Sequence, residues 1–173
     1  MRLSAELIGS SQQRTNDLGE REIVMRGLAI PAIEHLGVTR DAFDAMDLSD
    51  NRLTRLENFP RLNRLSSLYL SGNVIETIDA NNLGKNVANL IHLDLSNNKL
   101  SSLFEVANLG SASQKLEILN LDGNSVTRKS HKPLLKRTTK RSSVNLVGCN
   151  YLLHPALSDT ELSFPRNTVA AVV

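Results

Sequence analysis

The sequence predicts an α/β fold: a leucine-rich-repeat, right-handed solenoid of about six short repeats, with a parallel sheet on its concave face and an N-terminal helical cap. Three observations predict it. The pattern L-x-x-L-x-L-x-x-N recurs in four registers that end at Asn51, Asn73, Asn98 and Asn124. Those asparagines are 22, 25 and 26 residues apart, within the roughly 20–29-residue period of leucine-rich repeats. The chain has no Trp, two Tyr and four Phe, so leucine has to fill the core.

Taken in order, "LSAELI" at 3–8 supplies the helical cap. "EIVMRGLAIPAI" is a weak first repeat, with Ile23, Met25, Ile30 and Ile33 in register and Leu28 where the asparagine belongs. Four strong repeats follow: Phe43, Met46, Leu48, Asn51; Leu65, Leu68, Leu70, Asn73; Leu90, Leu93, Leu95, Asn98; Leu116, Leu119, Leu121, Asn124. "RSSVNLVGC" is a weak last repeat, with Val144 and Leu146 in register and Cys149 in the asparagine position. Terminal repeats are atypical because one side lacks a neighbour. The repeat domain with its caps is expected over 1–150, followed by a C-terminal extension at 151–173, partly irregular.

The spacing has a physical cause. A strand such as "LDL" or "LYL" points alternate leucines inward. The chain then turns sharply, and the asparagine satisfies backbone groups exposed in its own turn and in the next. A buried polar group without a partner costs on the order of 1–3 kcal/mol, so a ladder of Asn51, Asn73, Asn98, Asn124 and Cys149 stabilises the stack. These residues read as scaffold rather than as ligands; a reactive thiol is the alternative for Cys149. Leu100 and Leu103 fill the core from the returning segment. Gly72 and Gly123 stand where the turn is tightest.

The residues between the paired leucines face the concave side. The central column is Val24, Asp47, Tyr69, Asp94, Asn120, Asn145. The column before it is Glu22, Ala45, Ser67, His92, Ile118, Ser143, and the one after it is Arg26, Ser49, Ser71, Ser96, Asp122, Val147. This polar surface suits a protein element better than a small substrate, with a merely solvated face as the alternative. Tyr69 is the best anchor, because aromatic residues concentrate at binding hot spots.

Charge and composition bound the function. The 173 residues are 40% hydrophobic with net charge +2, so bulk charge does not mark a nucleic-acid binder. One cysteine and no Asn-x-Ser/Thr site lean toward a reducing, intracellular compartment. "MRLSAELIGSSQQ" lacks the apolar run of a secretory signal, and no segment is long and apolar enough to span a membrane. The four histidines are isolated, and no metal, nucleophile-elbow or phosphate-loop pattern occurs. Asp47 and Asp94 fall two repeats apart, roughly 10 Å at strand spacing, in a groove too open to exclude water as catalysis requires. No enzyme activity, cofactor, metal or small-molecule substrate is expected.

Residues 128–141, "RKSHKPLLKRTTKR", carry seven Lys/Arg and no acid. Elsewhere 13 basic residues face 18 acidic ones. The segment has a helix-start signal at Ser130 and Pro133. It reads as a solvated helix face, as a nuclear-import signal, or as an RNA-phosphate patch made of Arg128, Lys129, Lys132, Lys136, Arg137, Lys140 and Arg141. Without aromatics it would hold backbone rather than read bases.

Beyond the generic repeat, "RG-x-x-IP-x-IE-x-LG" at 26–37, "D-x-FDA-x-D-x-SDN" at 41–51 and "FP-x-L-x-RL" at 59–65 are specific. With "LSAELI", "LDLSNNKL" and "GNSVT", they make the sequence resemble the A-prime protein family of the U2 small nuclear ribonucleoprotein over about 1–147. The resemblance implies a non-catalytic spliceosomal adaptor in the nucleus. Its groove would grip a helix of an RRM-domain protein of the B-double-prime type, and the heterodimer would hold a U2 RNA stem-loop. Carried by repeat register, the groove residues are Arg26, Asp47, Tyr69, His92, Asp94, Ile118 and Asn120. The likeness fades at Ser125, where the family has Pro, and in the Lys/Arg-rich stretch, where it has aromatics. Beyond Cys149 the family's charged C-terminal helix is not matched. The rivals are a phosphatase regulator or scaffold on the same fold, and a lone RNA-backbone binder acting through 128–141.

Overall fold

The computed structural model describes residues 2–128 and a strand at 145–147. Helix α1 (Ala5–Ser10) is capped by Ser4, whose hydroxyl accepts the Leu7 N–H at 3.2 Å. The chain continues through β1 (Gln12–Thr15), β2 (Arg21–Val24), β3 (Ala45–Asp47), β4 (Arg55–Leu56), β5 (Ser67–Tyr69), β6 (Thr77–Ile78) and α2 (Ala80–Asn86). It ends in β7 (His92–Asp94), α3 (Leu103–Ala112), β8 (Ile118–Asn120), α4 (Ser125–Arg128) and β9 (Asn145–Val147). A 3-10 turn occupies Leu36–Thr39.

One sheet runs β1-β2-β3-β5-β7-β8-β9, and β4 pairs with β6 in a second, small sheet. All pairs from β2 onward are parallel. Parallel neighbours need a crossover, and each repeat supplies one as its return segment, which holds α2 or α3 in the longer repeats. The core is three leucine-rich rows. Met46, Leu68, Leu93 and Leu119 form one; Met25, Leu48, Leu70, Leu95 and Leu121 the second; Leu53, Ile75 and Leu100 the third. All are at most 1% exposed, and burying each such side chain contributes about 1.5–3 kcal/mol.

The asparagines bond across the stack. Asn51 Oδ1 accepts the N–H groups of Leu28 and Ile30 at 3.0 Å, and its Nδ2 donates to the carbonyls of Met25 and Leu48. Asn98 Oδ1 accepts from Ile75, and Asn124 Oδ1 from Leu100, each at 3.0 Å. Leu28 has no such side chain and contributes only its amide, so Asn51 is the first rung. Before each rung, and before Leu28 in the first repeat, the backbone is left-handed: Gly27, Asp50, Gly72, Asn97 and Gly123 have φ of 71°, 55°, 70°, 53° and 75°. At Gly72 and Gly123 the alternation of glycines with side chains has a packing reason. A Cβ on Gly72 would overlap Asp50 Oδ1, and one on Gly123 would overlap Asn97 Oδ1.

The quoted motifs tie neighbouring repeats together. Asp41 Oδ1 accepts the Arg64 N–H at 2.9 Å, and Asp44 accepts both the Arg64 guanidinium and the Arg21 N–H. Phe59, Leu62 and Leu65 of "FP-x-L-x-RL" are buried. The Phe59 backbone is held on both sides by α2, its N–H donating to Asn82 and its carbonyl accepting from Asn86.

Two features differ from the sequence expectation. The N-terminal cap is more than a helix, because β1 pairs antiparallel with β2 and becomes the edge of the main sheet. "QQRT" is polar and exposed throughout, so it carries no alternation to betray a strand. The last repeat is also displaced by two residues. Leu146, not Val144, stands beside Leu119, and Asn145 and Val147 stand beside Ile118 and Asn120. A slip of two keeps every side chain on its face, so hydrophobic alternation cannot distinguish the two registers. Cys149 lies outside the described residues.

Candidate functional site

The concave face carries three columns, of which two are set directly by strand pairing. Across β2, β3, β5, β7 and β8 they are Glu22, Ala45, Ser67, His92, Ile118 and Val24, Asp47, Tyr69, Asp94, Asn120. Six of the seven expected groove residues therefore share two adjacent columns. Arg26 lies just beyond β2, where its guanidinium pairs with Asp50 at 2.6 Å.

Several of these side chains also build the scaffold. Asp47 Oδ1 accepts the Ser49 N–H at 2.9 Å, Asp94 Oδ1 the Ser96 N–H at 2.9 Å, and Asn120 Oδ1 the Asp122 N–H at 3.1 Å. Each closes the bend from strand to rung, an Asx-type turn. Asp47 is only 7% exposed, so it offers a partner little more than an edge. Tyr69 holds the same column position without that duty. It is half-buried on the floor, with His92 and Asp94 half-buried beside it on β7 and Ile118 and Asn120 on β8.

A polar network that single-column reading missed crosses the N-terminal end of this face. Glu20 Oε1 accepts the hydroxyls of Ser66 at 2.9 Å and Ser67 at 2.7 Å, and Oε2 accepts Asn16 Nδ2 at 2.8 Å. Ser67 Oγ lies 3.3 Å from His92 Nδ1. Burial pushes the Glu20 carboxyl up, but hydrogen bonds from Asn16, Ser67 and Ser66 and the charge of His92 outweigh it and hold the group below its usual range. Glu22, 3% exposed, pairs with Arg14 at 2.5 Å. Burial, then the Glu20 charge, raises the Tyr69 phenol. The signal for this network was "NDLGE", a turn composition ahead of the first repeat, with a carboxylate at its end.

Of the basic candidates, Arg128 closes α4. Lys129, Lys132, Lys136, Arg137, Lys140 and Arg141 lie outside the described residues. Among the described residues, no group of three or more His, Cys, Asp or Glu side chains is placed to hold a metal ion, and no helix is long and apolar enough to cross a membrane.

The leucine-rich-repeat family model matches residues 1–147. The chain is 45% identical over 131 residues to the U2 small nuclear ribonucleoprotein A′ of Arabidopsis thaliana, covering 76% of this chain and 52% of that protein. It is 41% identical to the Homo sapiens protein of the same name, covering 76% and 51%. Thus the chain spans about half the length of the curated relatives it matches. Among solved structures, the crystal structure of the Drosophila melanogaster SNF/U2A′ complex is similar at TM-score 0.72 and 42% identity, covering 75% of this chain and 74% of that one.

Proposed function

Because the chain belongs to the leucine-rich-repeat family, and within it to the U2 small nuclear ribonucleoprotein A′ proteins, we propose that it is a non-catalytic adaptor of the U2 particle. Its concave face binds an RRM-domain protein of the SNF or B-double-prime type, and the pair holds a U2 RNA stem-loop in the nucleus during pre-mRNA splicing. The observation that carries this reading is the face itself. Tyr69, His92, Asp94, Ile118 and Asn120 sit side by side on three consecutive parallel strands. They form a shallow, mixed surface with an aromatic on its floor, the character of a protein-binding patch. A relative of known structure was crystallised as an SNF/U2A′ complex, which supports the same choice of partner.

On this reading Tyr69 packs against the partner, Asp94 and Asn120 meet its polar groups, and Arg26 contributes a rim charge already balanced by Asp50. The basic residues from Arg128 to Arg141 add phosphate contacts once the heterodimer has formed. Size-exclusion chromatography of this chain mixed with an SNF-type RRM protein is the test. A 1:1 species that weakens with Tyr69→Ala is expected. Two separate monomers at micromolar concentration would refute the proposal.

A further inference from the structure

Glu20 stands at the start of β2, yet its carboxylate reaches Ser66 and Ser67 at β5, two strands away. Ala45 occupies the intervening place in the column Glu22, Ala45, Ser67. Behind the carboxylate the chain is tied into a tight turn. Asn16 Oδ1 accepts the N–H groups of Leu18 at 3.0 Å and Glu20 at 2.9 Å. The Asn16 N–H donates to the Glu20 carbonyl and the Gly19 N–H to the Asn16 carbonyl, both at 2.9 Å. The turn is thus fixed internally and anchored to the groove floor.

At its tip Leu18 is 68% exposed. The other large apolar side chains that stand exposed among the described residues are Val38, in the 3-10 turn, and Phe104, in α3. Both lie off the main sheet. Ordering a backbone costs roughly 1–2 kcal/mol per residue, and this turn has met that cost before any partner arrives. An apolar side chain on a pre-ordered turn loses little further freedom on binding.

We propose that the Asn16–Glu20 turn is a lip of the concave groove, with Leu18 as a specificity contact for the partner helix and Glu20 as the residue that positions it. The occupant is the RRM helix of the preceding reading, on which this inference rests. It must present an apolar residue to Leu18. The lip extends the proposed interface beyond the repeats to the hairpin that precedes them.

The test is calorimetric titration of an SNF-type RRM protein into the full chain and into its Leu18→Ser, Glu20→Ala and Val38→Ser variants, with circular dichroism to confirm folding. Leu18→Ser is expected to weaken binding about tenfold, as loss of a buried leucine contact implies. Glu20→Ala should weaken it while the spectrum stays unchanged, and Val38→Ser should match the unaltered chain. Unaltered binding by Leu18→Ser would overturn the lip and leave the groove reading standing. An equal loss in Val38→Ser would overturn the lip as well. No binding by the unaltered chain would overturn both.

Discussion

Asn73 Oδ1 accepts the backbone N–H of Leu53 at 3.0 Å, across from one repeat to the one before it. Asn73 Nδ2 donates to the carbonyls of Leu48 and Leu70. Those two carbonyls have a second donor, in Asn51 and Asn98 respectively. The Leu53 N–H is therefore the group that loses most when Asn73 is replaced.

Asn73→Leu is expected to cost on the order of 1–3 kcal/mol, the penalty of one buried unsatisfied amide. For a chain of this size that lowers the melting midpoint by several degrees, with no groove side chain altered. Thermal denaturation followed by circular dichroism reads it. An unchanged midpoint would contradict the role assigned to the rung.

Gly72 and Asp50 are coupled by shape. Gly72 has φ of 70°, and a Cβ there would overlap Asp50 Oδ1. Gly72→Ala should destabilise by about 1–2 kcal/mol from the left-handed backbone alone, and by more because Asp50 must move. In the background of Asp50→Gly that extra part disappears. A double-mutant cycle in urea denaturation measures it. Strictly additive effects would show that the two turns do not touch.

Stability should fall in acid. The Glu20 carboxyl is held low by the donors described above. Asp44 is held low by the Arg21 N–H and then by Arg64, and Glu34 by Arg2. A carboxyl depressed in the folded state contributes fully above its unfolded value and loses that contribution as pH falls through the folded one. The melting midpoint should be flat near neutrality and drop below about pH 4, the ordinary carboxylate range. Glu20→Gln should blunt the drop. A midpoint constant down to about pH 3 would contradict the assignment.

Neutralising Lys136, Arg137, Lys140 and Arg141 together should weaken RNA binding by the heterodimer and flatten its salt dependence, while the affinity for the RRM protein stays the same. Filter binding across a salt series and calorimetry separate the two. Equal loss in both would place the segment in the protein interface or the fold.

Periodicity made the repeat core legible: each L-x-L with its asparagine marks a strand, an inward pair and a rung, and strand pairing then fixes Tyr69 beside Asp47 and Asp94. What periodicity could not carry came out differently. "QQRT" has no apolar face, so β1 was hidden. Val144 and Leu146 differ by two residues, so the last register was ambiguous. The Glu20 bridge joins residues 46 and 47 apart, which no local pattern marks. Asp47 sits in a groove column as the sequence predicts, but it is only 7% exposed and its carboxylate closes the turn at Ser49.

The most direct measurement is calorimetric titration of the chain with an SNF-type or B-double-prime-type RRM protein, with and without the U2 stem-loop. The adaptor account predicts tight 1:1 binding to the protein alone, strengthened by RNA. Salt-sensitive binding to RNA with none to the protein would contradict it and assign the function to the basic segment. No heat with either would contradict it as well and point to a different client of the same fold.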